Sequence, residues 1–173
     1  MIVVLIGYMA SGKTSIGKKL ANKLSYDFID LDDLIEEKEK LSVTQVFKSK
    51  GEVYFRNQEH LHLKEVLSSK NNIVLSVGGG TPCYSNNMDI IVNNIKVKSI
   101  YLKASITTLT EKLMRKKAQR PLIAHIETEA AMAEFIGKHL FERVQFYNQA
   151  EIVLTVDNKT KGDIVEDIIL KLF

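Results

Sequence analysis

Residues 2–14 read Ile2-Val3-Val4-Leu5-Ile6-Gly7-Tyr8-Met9-Ala10-Ser11-Gly12-Lys13-Thr14, and this stretch decides the fold. Its first five residues are continuously apolar, which is typical of a strand buried on both faces of a parallel sheet. The next eight match the P-loop pattern, a glycine, four residues, and then Gly-Lys-Ser/Thr. Ile16, Leu20 and Leu24 recur at spacings of four, which predicts a helix over 15–24. Because a strand precedes the motif and a helix follows it, a chance Gly-Lys-Thr turn is a poor explanation.

Each position of the motif has a physical reason. Gly7 and Gly12 let the backbone turn so that its N–H groups point inward at phosphate oxygens. The N-terminus of the following helix adds the positive end of its dipole. We expect Lys13 to reach the β- and γ-phosphates of ATP and the Thr14 hydroxyl to bind Mg²⁺. The predicted ATP contacts are therefore Gly7, Ala10, Ser11, Gly12, Lys13, Thr14 and Ser15.

Beyond the motif, short β-branched runs alternate with amphipathic helical stretches. This order predicts an α/β protein whose parallel sheet is covered by helices. Further strands are predicted at 26–29, 73–77, 98–102 and 152–156. Helices are predicted at 34–70, with breaks at Leu41-Ser42 and near Gly51, and at 86–93, 106–117, 129–147 and 161–172. We interpret Ser42 as a helix cap whose capping box is imperfect at Gln45, and the polar segment around 116–128 as a mobile loop.

Acidic residues follow the second predicted strand. Most P-loop NTPases carry a metal-linked aspartate after a later strand, but the strand at 73–77 ends in glycines. Asp30 is therefore the best candidate for the metal. On an extended backbone Asp30 and Asp32 would face the same way, so that one could hold the metal while the other receives a proton from an attacking hydroxyl. The alternative is a set of solvated carboxylates at a helix start, which is how we interpret Asp33.

Composition limits the class of protein. The 173 residues, 45% of them hydrophobic and 26% charged, suffice for one globular domain and are too few for two of ordinary size. The net charge of +3 is not arranged as a basic stripe and no nucleic-acid motif accompanies it, so we expect no nucleic-acid partner. No stretch approaches membrane-spanning length and no basic leader is present, so we expect no membrane association. The single cysteine, Cys83, excludes an internal disulfide, which favours a cytoplasmic protein.

Histidine and arginine are the remaining candidates for binding metals or anions. The four histidines, His60, His62, His125 and His139, match no metal-binding spacing, and we interpret them as surface or pocket-edge residues. Only four of the 24 basic residues are arginine, namely Arg56, Arg115, Arg120 and Arg143. A guanidinium binds carboxylate and phosphate oxygens in pairs, which lysine cannot imitate. Composition alone does not decide whether each arginine has a functional role or forms a structural ion pair.

Six segments, taken together, resemble the shikimate kinase family along the whole chain. They are Gly7-Tyr8-Met9-Ala10-Ser11-Gly12-Lys13-Thr14, Phe28-Ile29-Asp30-Leu31-Asp32, Phe47 with Gly51-Glu52-Val53-Tyr54-Phe55-Arg56-Asn57-Gln58-Glu59, Val77-Gly78-Gly79-Gly80, Arg120-Pro121-Leu122, and Arg143 with Tyr147. Apart from the P-loop any one of them is a weak signal. All six in this order, with roughly the family's spacing, form a specific one.

The resemblance implies a nucleoside-monophosphate-kinase-like fold. This is a three-layer P-loop domain over 1–173 with a five-stranded parallel sheet flanked by helices, a substrate-binding helical region at about 31–62 and a lid at about 115–128. It also implies transfer of the γ-phosphate of ATP to the 3-hydroxyl of shikimate, with Mg²⁺ served by Thr14 and Asp30. Asp32 would hydrogen-bond the shikimate hydroxyls and act as the base.

Other roles follow only from the same resemblance. Arg56 and Arg143 would bind the substrate carboxylate, while the turn Gly78-Gly79-Gly80 would pack its backbone against the ring. Phe47, Phe55 and Glu59 would shape the pocket and hold Arg56. Arg120 would close over the phosphates and act with Lys13 and Asp32 in catalysis. Arg115 and Lys161 would flank the adenine.

The chain departs from the family pattern at two positions. Ala10 stands where glycine is common, which we expect to be tolerable if its φ is negative, and Gln145 stands where proline is common, which could alter the angle of the helix that carries Arg143.

Two rival functions are considered. One is another small-metabolite kinase of the same fold, such as a gluconate or nucleotide kinase; the other is a nucleotide-binding regulatory module without turnover. Against the latter, Lys13, Thr14, Asp30 and Asp32 are all present. We expect a monomer.

Overall fold

A computed structural model describes residues 1–69, 72–120 and 122–173. Within them, five parallel strands form one sheet in the order β2-β3-β1-β4-β5. The strands are β1 Ile2–Ile6, β2 Asp27–Asp30, β3 Ile73–Ser76, β4 Val97–Lys103 and β5 Ile152–Thr155. This confirms the predicted five-stranded parallel sheet. Lys70, the predicted end of the helical stretch 34–70, and Pro121 lie outside the described residues.

Helices occupy most of the chain between the strands. They are α1 Lys13–Leu24, α2 Leu31–Glu39, α3 Val43–Leu67, α4 Asn87–Val92, α5 Ile106–Lys116, α6 Glu129–Tyr147 and α7 Lys161–Leu172, with short 3₁₀ turns at Thr81–Cys83 and Lys117–Gln119. The predicted bounds of α6 and α7 are the observed ones. The predicted interruption near Gly51 is also confirmed, because φ 84° and ψ 170° at that residue place a kink inside α3.

Two local predictions were wrong. The capping box of α3 is complete, since the Ser42 hydroxyl accepts from the Gln45 N–H and the Gln45 side chain accepts from the Ser42 N–H. A glutamine amide oxygen can accept this bond as a carboxylate would. Helix α2 begins at Leu31, earlier than predicted, because Asp30 caps it by accepting from the Asp32 N–H at 3.2 Å. Asp32 is consequently helical.

The sheet determines where functional residues can meet. All five residues of β1 are at most 1% exposed, as expected for the central strand, and β3 and β4 pair with it on either side. Because parallel strands end at the same edge, the loops after β1, β2 and β3 lie next to one another. These loops carry the P-loop, Asp30 and the turn at 78–80. Among the described residues, no helix is both long and apolar enough to cross a membrane.

Candidate active site

The P-loop is built around two glycines that no other residue could replace without strain. A Cβ on Gly7 would lie 2.7 Å from Ser11 Oγ and 2.9 Å from the Leu102 carbonyl oxygen. Gly12, which precedes α1, has φ 101°, in the left-handed region that favours glycine. The turn is closed by a hydrogen bond from the Ser11 N–H to the Tyr8 carbonyl at 3.2 Å. The loop therefore has the tight turn that a phosphate cradle requires.

Lys13 projects from the first position of α1. Its Nζ donates to the carbonyl oxygens of Gly7 and Tyr8 at 2.8 and 3.0 Å, which fixes the ammonium over the loop. Burial lowers the pKa of Lys13 to about 8, although the charges of Asp32 and Asp30 oppose this change. Anionic phosphate at this point would favour the charged form further.

Ala10 adopts a conformation that the sequence analysis did not expect. Its φ is +65°, so the condition of a negative φ is not met. A Cβ in the left-handed region crowds the following carbonyl oxygen and costs about 1–2 kcal/mol. The P-loop of this chain therefore carries local strain at the position where a glycine would relieve it.

Asp30 and Asp32 lie close together, but not in the way predicted. They do not share one extended face, because Asp30 ends β2 and Asp32 lies in the first turn of α2. Asp30 accepts from the Thr14 hydroxyl through Oδ2 at 2.8 Å and from the Asp32 N–H through Oδ1. A carboxylate and a hydroxyl in contact are suitable oxygen ligands for Mg²⁺, which takes few protein ligands and completes its shell with phosphates and water. The donor set therefore fits the predicted metal.

Asp32 is the most perturbed acid of the site. Burial raises its pKa to about 7, and the nearby charges of Asp30 and Glu59 add to this effect while Lys13 opposes it. Its Oδ1 is buried, and none of the described residues donates a hydrogen bond to it. A buried acceptor without a donor is costly unless a ligand supplies one. Asp32 Oδ1 is thus available to a donor within the cleft.

Three consecutive glycines bring the remaining groups together. A Cβ on Gly78 would lie 3.0 Å from Glu59 Oε1 and 3.1 Å from Asp32 Oδ1. At Gly79 the nearest side-chain atom would be Arg143 Nη1 at 3.4 Å, and at Gly80 it would be Arg56 Nη1 at 2.7 Å. Side chains from α2, α3 and α6 therefore converge on this turn: Asp32 and Glu59 approach Gly78, Arg143 approaches Gly79 and Arg56 approaches Gly80.

Arg56 is held by acidic and aromatic neighbours on α3. Its Nη1 donates to Glu59 Oε2 at 2.7 Å, and Glu59 is 1% exposed. Glu59 also accepts from the Thr81 hydroxyl at 2.6 Å. The rings of Phe47 and Phe55 pack against each other at an interplanar angle of 40° with centroids 4.7 Å apart, and both centroids lie within 6.0 Å of the guanidinium carbon. Although burial opposes the charge, Glu59 and the other partners leave the pKa of Arg56 raised.

Arg143 reaches the same turn from α6. Its guanidinium lies 5.7 Å from the centre of the Tyr8 ring, and the Tyr147 hydroxyl donates to the Gly79 carbonyl at 2.6 Å. Helix α6 is continuous through Gln145, whose side-chain amide donates to the Glu142 carbonyl at 3.1 Å. The altered residue at 145 therefore does not interrupt the helix that presents Arg143.

A cleft of about 600 Å³ runs along the P-loop and the edge of the sheet. Predicted site residues that line it are Ala10, Gly12, Lys13, Thr14, Ser15, Asp30, Asp32, Gly78, Gly79, Arg115, Arg120 and Lys161. Those outside its lining are Gly7 and Ser11, which are buried inside the loop, Gly80 at the end of the glycine turn, and Phe47, Phe55, Arg56, Glu59 and Arg143. Lys112 and Lys116 also line the cleft, so cations surround its outer end.

Several residues that neighbour the site were not predicted from the sequence. Tyr84, Thr81 and Lys112 carry no motif, and only the fold brings them to the cleft or to Arg56. The interpretation of the histidines was wrong for His62, which is 5% exposed and bonds to Glu65. His139 accepts from, or donates to, the Tyr8 hydroxyl at 2.9 Å, which links α6 to the P-loop.

A strained phosphate loop with its lysine, a Thr–Asp pair suited to Mg²⁺ and a buried carboxylate beside them define a P-loop kinase. The chain belongs to the shikimate kinase family, whose family model, described as shikimate kinase, matches residues 9–173. Shikimate kinase of Flavobacterium psychrophilum is 45% identical over 171 residues, covering 99% of this chain and 98% of that protein.

Solved structures agree with this membership. The structure of shikimate kinase from Bacteroides thetaiotaomicron has a TM-score of 0.91 and 34% identity, covering 99% of this chain and 98% of that one. The structure of shikimate kinase from Acinetobacter baumannii in complex with shikimate has a TM-score of 0.87 and 27% identity, covering 99% and 92%. Both likenesses extend over nearly the whole chain, including the helices that carry Arg56 and Arg143.

Proposed function

We propose that this protein transfers the γ-phosphate of ATP to the 3-hydroxyl of shikimate. The observation that carries the proposal is the buried, unpartnered Oδ1 of Asp32, which lies beside Gly78 between the P-loop lysine and the Arg56–Glu59 pair. An acceptor hydroxyl that donates to this oxygen would lie next to the phosphate site. Family membership and the relatives named shikimate kinase support the same acceptor.

Asp32 receives the hydroxyl proton in this mechanism. A pKa near 7 suits a general base at neutral pH, because the carboxylate is then available and still binds the proton. The transition state of phosphoryl transfer is loose, so positioning and charge neutralisation by Lys13 and Arg120 contribute more than proton removal. Bound Mg²⁺ would neutralise phosphate charge, and Thr14 and Asp30 would hold it, Asp30 through water.

Arg56 and Arg143 bind the carboxylate of the acceptor. Both guanidinium groups approach the turn Gly78-Gly79-Gly80, where the absence of side chains lets them lie close to the backbone, and we propose that the acceptor ring packs against this turn. Two arginines suit a carboxylate, since each can present paired N–H groups. An acceptor without a carboxylate would not use this pair of guanidinium groups, which disfavours a neutral-sugar kinase. Gluconate also carries a carboxylate, so its exclusion depends on the choice of acceptors in the assay.

The regions around the site are assigned on the same basis. We propose that residues 31–62 form the substrate-binding region and that residues 115–128 form a lid whose Arg120 closes over the phosphates. Arg115 and Lys161, at the outer end of the cleft, would flank the adenine. A monomeric state stays a prediction.

Coupled ADP-release assays test the proposal. ATP and Mg²⁺ would be combined with shikimate, with gluconate and with nucleoside monophosphates in parallel, and phosphorus NMR would locate the phosphate on the product. We expect turnover with shikimate and with neither of the other acceptors, and a phosphate on the 3-hydroxyl of shikimate. Turnover with gluconate or a nucleotide instead would establish the first rival, and ATP binding without turnover on any acceptor would establish the regulatory module.

A further inference from the structure

Tyr84 lies against Arg56 although it belongs to a distant part of the chain. Its ring centroid is 3.9 Å from the Arg56 guanidinium carbon, closer than the rings of Phe55 at 5.5 Å and Phe47 at 6.0 Å. This distance is that of a guanidinium stacked on an aromatic face. Tyr84 follows the 3₁₀ turn Thr81–Cys83, which itself follows the glycine turn.

The tyrosine is itself held in place. Its hydroxyl donates to Glu52 Oε1 at 3.0 Å, and the same oxygen accepts from Arg56 Nε and Nη2 at 3.3 Å each. The ring, the carboxylate and the guanidinium thus form a closed set of contacts. The Tyr84 ring lies against the guanidinium, and the Arg56 side chain is only 17% exposed although Tyr84 itself is 37% exposed.

Two N–H groups of the Arg56 guanidinium are still available in this arrangement. A guanidinium has five N–H groups. Among the described residues, Glu59 takes one from Nη1, and Glu52 takes one from Nε and one from Nη2. One N–H therefore remains on each Nη nitrogen, the number that a bidentate carboxylate requires.

We propose that Tyr84 is a positioning residue that holds the plane of the Arg56 guanidinium so that these two N–H groups meet the acceptor carboxylate. Without the ring, Glu52 and Glu59 still fix two edges of the group, but rotation about its long axis is less restricted. The consequence is weaker and less selective carboxylate binding. This inference rests on the proposed function, in which Arg56 binds the acceptor.

Steady-state kinetics of Tyr84→Ala and Tyr84→Phe test the effect on the acceptor. We expect Tyr84→Ala to raise the KM for shikimate about 5- to 20-fold, the size of a partly desolvated cation–π contact, with little change in the KM for ATP. Tyr84→Phe keeps the ring and should stay within about 3-fold of wild type. Ile95→Ala is the control, since Ile95 is 97% exposed and lies outside the proposed substrate-binding region and lid. A shikimate KM that Tyr84→Ala leaves unchanged, or an equal rise in both KM values, would overturn the inference.

A double-mutant cycle tests whether the effect passes through Arg56. In the Arg56→Lys background the flat guanidinium is absent, so Tyr84→Ala should add less than about 2-fold to the shikimate KM. If the two effects multiply in full, Tyr84 acts on something other than Arg56 and the inference fails.

A measurement without substrate separates this inference from the proposed function. The chain has four arginines, so the side-chain ¹⁵Nη signals of Arg56 can be assigned by their loss in Arg56→Lys. We expect faster Nη rotation in Tyr84→Ala and no change in Ile95→Ala. Unaltered rotation in Tyr84→Ala would overturn the positioning role whatever the acceptor is. Inability of the wild-type protein to phosphorylate shikimate, with rotation altered as expected, would instead refute the proposed function.

Discussion

Replacing Gly80 by alanine adds a single methyl group at the point where the chain approaches Arg56 most closely. The new Cβ would lie 2.7 Å from Arg56 Nη1, 2.9 Å from Nη2 and 3.1 Å from the guanidinium carbon. The backbone conformation at Gly80, with φ −85° and ψ −23°, is one that alanine adopts without strain. The effect of the substitution should therefore come from the contact with Arg56 and not from backbone strain.

The size of the effect follows from how Arg56 is held. To reach an ordinary contact of 3.4 Å, Nη1 must move by about 0.7 Å, away from the Glu59 oxygen to which it donates at 2.7 Å or out of the pocket. A hydrogen bond to a charged group contributes about 1.5–3 kcal/mol, and a displacement near 1 Å can cost about 10²-fold in rate. Since 1.4 kcal/mol is tenfold, we expect the shikimate KM to rise about 10- to 150-fold.

The assay compares Gly80→Ala with Gly137→Ala under steady-state conditions, varying shikimate and ATP in turn. Gly137 lies inside α6, where an added Cβ would meet only Ile106 Cδ1 at 3.7 Å, so its substitution should leave both KM values unchanged. Gly80→Ala should raise the acceptor KM and leave the ATP KM within about 2-fold. Normal shikimate kinetics in Gly80→Ala would refute the placement of Arg56 at the acceptor.

Four further predictions concern three variants of the P-loop and the base. Lys13→Ala should lower kcat at least ~10²-fold in the ADP-release assay with the circular dichroism spectrum retained, because electrostatic stabilisation of the transferred phosphate is lost; near-normal turnover would disprove the P-loop assignment. Asp32→Asn should lower kcat more than ATP affinity and remove the fall in wild-type kcat/KM below about pH 7, the pKa to which burial raises this carboxyl; weaker ATP binding with kcat preserved would mean that Asp32 binds the metal. In urea unfolding at pH 8, the same variant should have a free energy of unfolding roughly 1–3 kcal/mol above that of wild type. A carboxyl pKa that is raised in the folded state makes the wild-type stability fall as pH rises from about 4 to 7, and the asparagine does not titrate. A stability difference in favour of Asp32→Asn that grows toward pH 4 would contradict this prediction. Ala10→Gly should raise the free energy of unfolding by about 0.5–1 kcal/mol by relieving φ +65°, and a loss of stability would show that the conformation is not strained.

Much of the fold could be predicted because local pattern and global structure agree. The continuously apolar run before Gly7 is typical of a buried strand, and the alternation of predicted strands and helices favours a parallel sheet; the structure has both. Predictions failed where a side chain sets a helix end. Asp30 caps α2 and so draws Asp32 into a helical turn, which an argument from strand periodicity cannot anticipate.

The site was predictable where a motif carries it and not elsewhere. Lys13 and Thr14 follow from residue type and spacing, whereas the glycine turn was placed in the site only through the family resemblance. Tyr84 could not be found, because its contact with Arg56 spans 28 positions of the sequence and depends on how the segment after Gly80 folds back over α3. The positive φ of Ala10 likewise depends on the closed P-loop and cannot be inferred from composition.

The most direct measurement compares kcat/KM for shikimate with that for shikimate methyl ester in the wild-type protein, Arg56→Lys and Arg143→Lys. Esterification keeps the ring and the 3-hydroxyl but removes the charge that the two arginines bind. We expect the wild-type protein to prefer the free acid by roughly 10- to 150-fold, corresponding to about 1.5–3 kcal/mol for a charged hydrogen bond, and each lysine variant to lose most of that preference. Equal use of acid and ester by the wild-type protein would contradict a carboxylate site at Arg56 and Arg143.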